Sequence, residues 1–336
     1  MRHPRTRRFP ATLKATALTT SILLGGTACG PATTSAAGHA IPRTGTAGIG
    51  MTNGQVVLDD LRTPAPGEAE ARRRLRALET SYKGRIGVYA LDTATGKTIT
   101  YRSGERFPLL STFKASAAAA VLHKARTSDP GLMDRVIHWK RSEVKANSPV
   151  TEKHVEDGLT VARLCEAAIT QSDNTAGNML LKQIGGPAGL TRYLRTLKDP
   201  VSHLDRWETE LNDWTPKERR DTTTPAAMGR NLHRLTVGTA LDAKDRARLN
   251  GWLIANKTGG ERIRAGLPKT WIVGDKTGTT SFYGAANDIA VVWPAKGAAP
   301  LIMSIYTNRR AAGALNDNKV IADTAAILAR GLGRLS

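Results

Sequence analysis

The stretch RFPLLSTFKASAAAAVL, residues 106–122, sets two polar side chains in front of a run of alanines. The alanines read as a buried helix. Ser111 and Lys114 stand three positions apart at its start, so they share a face and the amine can hydrogen-bond the hydroxyl. A lysine heading a buried helix must lose its charge or find partners, which gives this pair a physical reason to be functional. A second S-x-x-K, Ser142 to Lys145, lies in a charged polar loop and has no such reason.

Upstream, apolar residues recur at helical spacing from Glu68 to Ser81, and residues 85–107 then alternate in period two around an Ala-Thr-Gly turn. Downstream, LTVARLCEAAITQS, NTAGNMLLKQI, GLTRYLRTL and KDRARLNGWLIAN each carry an apolar helical stripe. Strand patterning returns in WIVGDKTGTTSFY, ANDIAVVWP and PLIMSIYTN, and the helix NKVIADTAAILARGL closes the chain. Two early and three late strands predict an α+β fold: a five-stranded antiparallel sheet flanked by N- and C-terminal helices, with an all-α domain inserted. The expected division is residues 67–107 plus 263–336 for the α/β domain and 108–262 for the helical one, with the site in the cleft between them.

Residues 1–40 read as an export signal. Arg2, Arg5, Arg7, Arg8 and Lys14 precede an apolar run from Ala15 to Ala28 without an acidic residue, and cleavage is expected near 28–40. Arg7-Arg8-Phe9 partly matches a twin-arginine pattern and GGTAC around Cys29 partly matches a lipoprotein site, so a free secreted protein and a lipid anchor at Cys29 both stay open. Residues 41–66, rich in Gly, Thr, Pro and Ala, read as a flexible linker.

Without the five leader cations the net charge falls from +20 to +15. No basic stripe interleaved with aromatics and no recognition-helix pattern accompanies it, so nucleic acid is not the expected partner. Electrostatic association with anionic cell-wall polymers is. Only Cys29 and Cys165 occur, and Cys165, in VARLCEAAI, reads as a buried small hydrophobe with no disulfide. The seven His are scattered without ligand spacing, so neither a metal nor a cofactor is implied.

Three more polar groups could do chemistry. Ser172-Asp173-Asn174 follows an apolar helix; read alone, it is a cap for the next one. Lys276-Thr277-Gly278 ends the strand beginning WIVGD, where Gly lets something approach the backbone. A decoy, Lys257-Thr258-Gly259, reads as an ordinary helix C-terminus. In RWETELN, Glu208 and Asn212 stand four apart in a polar loop, and a carboxylate and carboxamide so placed can hold one water between them.

S-x-x-K, S-D-N and K-T-G in this order, with the Glu208–Asn212 loop, resemble the class A serine β-lactamases, over essentially all of residues 68–332. The resemblance implies a secreted, monomeric enzyme that opens the amide of penicillins, and of some cephalosporins, and so confers antibiotic resistance. Ser111 would be the nucleophile, Lys114 or Glu208 its base, Glu208 with Asn212 the group activating the deacylating water, and Ser172 the proton relay to the ring nitrogen. The backbone N–H groups of Ser111 and Thr279 would form the oxyanion hole. Lys276, Thr277 and Arg262 would hold the substrate carboxylate beside Gly278, and Asn174 would bond the substrate's amide side chain. GGERIRAG resembles the subgroup that supplies this arginine from ahead of the strand; Arg264 would be a packing or buried-pair residue. Arg206 and Asp221 would close the neck of the omega loop.

Three positions depart from the family pattern: Asn147 where an aromatic wall residue is usual, Thr280 in place of Gly, Ser or Cys, and Ala118, which excludes a disulfide to Cys165. The rival reading is a D-alanyl-D-alanine peptidase or other penicillin-binding protein that acylates and stalls. Glu208 with Asn212 argues against it. A non-catalytic lactam sensor would need a membrane or signalling segment, and the sequence is not read as holding one.

Overall fold

The computed structural model describes residues 66–335. The expected export signal, Cys29 and the linker up to residue 65 lie outside the described residues. Pro66, expected in the linker, instead opens the first helix, α1 (Pro66–Tyr82), as its fixed φ allows at a helix start. There follow β1 (Gly84–Asp92), β2 (Thr98–Tyr101), the two-residue β3 (Phe107–Pro108) and α2 (Phe113–Thr127). Next come short strands β4 (Val136–Ile137) and β5 (Leu159–Thr160), then α3 (Val161–Thr170), α4 (Asn174–Gln183) and α5 (Gly186–Thr196). The chain continues through β6 (Thr222–Thr223), α6 (Pro225–Thr236) and α7 (Ala243–Ile254). It ends with β7 (Ile272–Thr279), β8 (Ala286–Trp293), β9 (Leu301–Arg309) and α8 (Asn318–Gly331).

The sheet is the expected five-stranded antiparallel one, ordered β2-β1-β9-β8-β7. Because side chains alternate across a strand, Ile86, Val88, Ala290, Val292, Met303 and Ile305 meet α1 and α8 on one face. On the other, Ile289, Val291, Ile302 and Tyr306 join the apolar side chains of α2 to α7 in a single core. The helical layer is therefore packed continuously onto the sheet. At its centre is α2, whose residues from Phe113 to Leu122 are all buried. Small side chains let neighbouring helices approach on every side.

The sequence pattern did not reveal helix α6, nor the two-residue strands β3, β4, β5 and β6. Thr224 caps α6, accepting from the Ala227 N–H at 3.2 Å, and Pro225 fills the first position. Asn231 and Gly229 interrupt its apolar stripe for reasons outside the helix. Asn231 Nδ2 donates to the buried Asp199 carboxylate at 2.6 Å. A Cβ at Gly229 would lie 2.3 Å from the Tyr89 ring, so glycine lets α6 settle on β1.

Charge is also buried between the last strands. Asp275 on β7 and Asp288 on β8 are diagonal neighbours, since Asp275 pairs with Ala290 and Thr277 with Asp288. Arg264 donates to Asp275 at 2.6 Å, as the expected pair, and opposes the rise that burial imposes on that carboxyl. Burial first, and then Asp275, push the Asp288 carboxyl well above the usual range. Asp288 Oδ2 accepts from the Ile263 N–H at 3.1 Å, while its Oδ1 has no partner among the described residues, an environment that favours the neutral acid.

Two outcomes follow from this packing. Gly229→Ala gains about 1 kcal/mol of helix propensity but must displace the Tyr89 ring, so it should lose about 1–3 kcal/mol net; an unshifted urea midpoint would refute that contact. For Asp288, a raised native pKa means the native state binds more protons than the unfolded one above the unfolded carboxyl range, so stability falls as pH rises there. Asp288→Asn mimics the protonated form. Its melting temperature should match wild type at acid pH and exceed it increasingly toward neutrality, and a constant offset across pH would contradict the assignment.

Candidate active site

Ser111 lies in a single 3-10 turn, Leu110–Thr112, immediately before α2. Leu110 has φ 48°, a left-handed conformation that costs a non-glycine residue of order 1–3 kcal/mol. That kink turns Ser111 out of the helix start while Lys114 remains in its first turn. Lys114 is fully buried, and its Nζ donates to Ser111 Oγ (2.9 Å), the Ser172 carbonyl (2.8 Å) and Asn174 Oδ1 (2.6 Å). Glu208 Oε1, also buried, lies 3.0 Å from the same nitrogen and accepts from Ser111 Oγ at 3.2 Å. Burial depresses the Lys114 amine, and the Glu208 carboxylate opposes it. The Ser111 hydroxyl thus touches both an amine whose hold on its proton burial weakens and the Glu208 carboxyl group.

The Ser172-Asp173-Asn174 segment does more than cap α4. Asp173 does cap it, accepting from Ala176 N–H at 2.9 Å, and also accepts from the N–H groups of Val150 and Thr151 and the Thr151 hydroxyl. Held this way, Ser172 adopts φ 56° and bridges two lysines: its carbonyl meets Lys114, and its hydroxyl accepts from Lys276 Nζ at 2.9 Å. Lys276, fully buried, is depressed well below an ordinary lysine, first by burial and then by the Lys114 charge. Asn174 spends its oxygen on Lys114 and one amide hydrogen on the Ala146 carbonyl at 2.8 Å, leaving one N–H.

Alternation along β7 points Lys276 and Gly278 toward the helices. A Cβ at Gly278 would lie 2.8 Å from Leu110 Cβ and 3.2 Å from Ser111 N, so only glycine lets the strand draw up to the serine turn. β7 is an edge strand, and the Thr280 N–H is used on the Ala285 carbonyl. The Thr279 N–H is therefore turned to the open edge, on the side of Ser111.

Arg262, 5% exposed, donates to the Gly278 and Asn287 carbonyls (2.9 and 2.7 Å), Thr279 Oγ1 (2.6 Å) and Asn318 Oδ1 (2.8 Å). It braces the strand from behind and meets the cleft through the Thr279 hydroxyl. Because that oxygen accepts from Arg262, its own hydrogen is free to point outward.

The loop bearing Glu208 is tied at several points. Arg206 Nε pairs with Asp221 Oδ2 at 2.6 Å, and Asp221 Oδ1 accepts from the N–H groups of Asp205 and Arg206, closing the neck as expected. The Glu208–Thr209 peptide is cis. Asn212 Nδ2 donates to Glu208 Oε2 at 2.6 Å, while its buried Oδ1 has no protein partner. Thr280 Oγ1 donates to the Asn212 carbonyl at 3.1 Å. One clamp escaped the sequence reading: Asn178 accepts from the Glu208 N–H (2.9 Å) and donates to its carbonyl (2.8 Å). The signal available was its position, four after Asn174 and so on the same face of α4. Asn147 (φ 62°) offers no stacking surface; its carbonyl accepts the Asn174 N–H.

Residues 70–332 match the model of the Beta-lactamase enzyme family. The chain is 49% identical over 265 residues to the β-lactamase AST-1 of Nocardia asteroides, covering 79% of this chain and 84% of that one. It is 50% identical over 253 residues to the β-lactamase FAR-1 of Nocardia farcinica, covering 75% and 80%. A crystal structure of a β-lactamase from Streptosporangium roseum superposes with TM-score 0.79 at 78% identity, covering 80% of this chain and all of that one. An ancestral class A β-lactamase superposes with TM-score 0.74 at 51% identity, covering 77% of this chain and 99% of that one. Alike in sequence and fold to enzymes of one kind through nearly all its described residues, the chain belongs to the β-lactamase family, as a class A serine hydrolase.

Proposed function

We propose that this β-lactamase opens the lactam amide of penicillins through an acyl-enzyme on Ser111. The observation carrying the reading is the double contact of Glu208, with Oε1 on Ser111 and Lys114 and Oε2 on Asn212. In this reading the Ser111 oxygen attacks the carbonyl carbon and its proton passes to the Lys114–Glu208 pair. The ring C–N bond breaks, and the nitrogen takes a proton through Ser172, which Lys276 supports. The N–H groups of Ser111 and Thr279 receive the developing oxyanion. Water between Glu208 and Asn212 then cleaves the ester, its hydrogens meeting the carboxylate and Asn212 Oδ1, and Ser111 regains its proton. The substrate carboxylate is held by Lys276, Thr277 and Thr279, with Arg262 acting through Thr279, and the remaining Asn174 N–H takes the substrate's side-chain amide.

Export is part of the proposal. It is supported by the cationic, then apolar, leader, and the +15 charge left after it suits residence among anionic wall polymers.

Intact mass and absorbance of the mature chain with benzylpenicillin test the mechanism. Wild type should turn over many equivalents without a lasting adduct. Glu208→Ala should lose turnover by about a thousandfold and accumulate one penicilloyl group on Ser111. A stable one-to-one adduct on the wild type would instead make this a penicillin-binding peptidase.

A further inference from the structure

The decoy motif Lys257-Thr258-Gly259 ends beside the motif it imitates. Thr258 Oγ1 lies 2.5 Å from Thr277 Oγ1, across 19 residues of chain. The segment is built onto the strand: a Cβ at Gly259 would lie 1.7 Å from the Asp275 carboxylate, which only glycine avoids.

The direction of each hydrogen bond here follows from its neighbours. The Thr258 backbone N–H, which can only donate, lies 3.1 Å from one Asn256 side-chain atom, so that atom is the oxygen. The Asn256 nitrogen then faces Asp275 Oδ2 at 2.8 Å, where a carboxylate needs a donor. The Thr258 hydroxyl, 2.9 Å from the same Asn256 oxygen, must donate to it. Thr258 has no second hydrogen, so in the 2.5 Å contact Thr277 is the donor. The Thr277 proton in the free enzyme points away from any substrate carboxylate. Thr279 is the opposite case, because Arg262 fills its acceptor side and turns its proton outward.

We propose that Thr258 is a positioning residue of the carboxylate subsite, its hydroxyl reversing so that Thr277 can donate to the substrate. The inference rests on the reading above that Thr277 holds that carboxylate. On reversal, Thr258 donates to Thr277 Oγ1 and Thr277 donates to the carboxylate. The Asn256 oxygen keeps the Thr258 N–H, so no buried acceptor is orphaned. Hydrogen bonds in such a chain polarise one another, so the Thr277 donation is stronger with Thr258 behind it. The contribution is made equally in bound substrate and transition state and belongs in KM.

The test uses the full chain with benzylpenicillin and its methyl ester, which lacks the carboxylate charge, and the variants Thr258→Val, Thr258→Ser and Thr277→Val. Thr258→Val should raise KM for the acid about fivefold, the equivalent of one neutral hydrogen bond, leave kcat unchanged and leave the ester unaffected. Thr258→Ser should restore the wild-type values. Unchanged KM for the acid, or equal losses for acid and ester, overturns the inference. If Thr277→Val separates acid from ester and Thr258→Val does not, only the role of Thr258 falls. If neither separates them, the carboxylate reading itself is wrong and the inference falls with it.

Discussion

A lysine amine with no exposure to solvent is the constraint around which this molecule is arranged. Burying Lys114 without partners would cost several kcal/mol, and the fold offsets that by aiming four acceptors at one nitrogen. They come from the serine turn, the carbonyl of Ser172, the first residue of α4 and the loop bearing Glu208. No two of these neighbours are close in sequence except Ser172 and Asn174. Satisfying one side chain therefore draws together segments spread over almost a hundred residues, and the same contacts set the Ser111 hydroxyl between amine and carboxylate. Stability and chemistry share a single set of bonds.

The backbone around this nitrogen is correspondingly irregular. Leu110, Asn147, Ser172 and Asp221 all take left-handed conformations although none is glycine. Asp173 and Asp221, both fully buried, compensate by gathering backbone N–H groups that the irregular loops would otherwise leave unpaired.

Much of this was legible in the chain itself. Period-two alternation found all five strands because each is buried on at least one face, and the Ser111–Lys114 spacing stood out because alanines promised burial around it. What stayed hidden depends on tertiary partners. Helix α6 has its stripe broken by a glycine answering to Tyr89 and an asparagine answering to Asp199, neither near in sequence. Asn178 works through the backbone of Glu208, which leaves no side-chain pattern to detect. Arg262 is cationic in the sequence, but only the structure shows most of its donors spent on carbonyls and neighbouring side chains. Thr258 was set aside for a sound local reason, since Lys and Gly do close helices. Its neighbour across the strand edge is what changes the reading.

The lone thiol among the described residues has a consequence for biogenesis. Cys165 is enclosed in the helical core, and burial pushes its thiol far from the thiolate form. The catalytic body is thus tied together by packing and ion pairs and asks nothing of an oxidant. Reducing and oxidising surroundings therefore offer these described residues the same native state, and their folding can proceed in either.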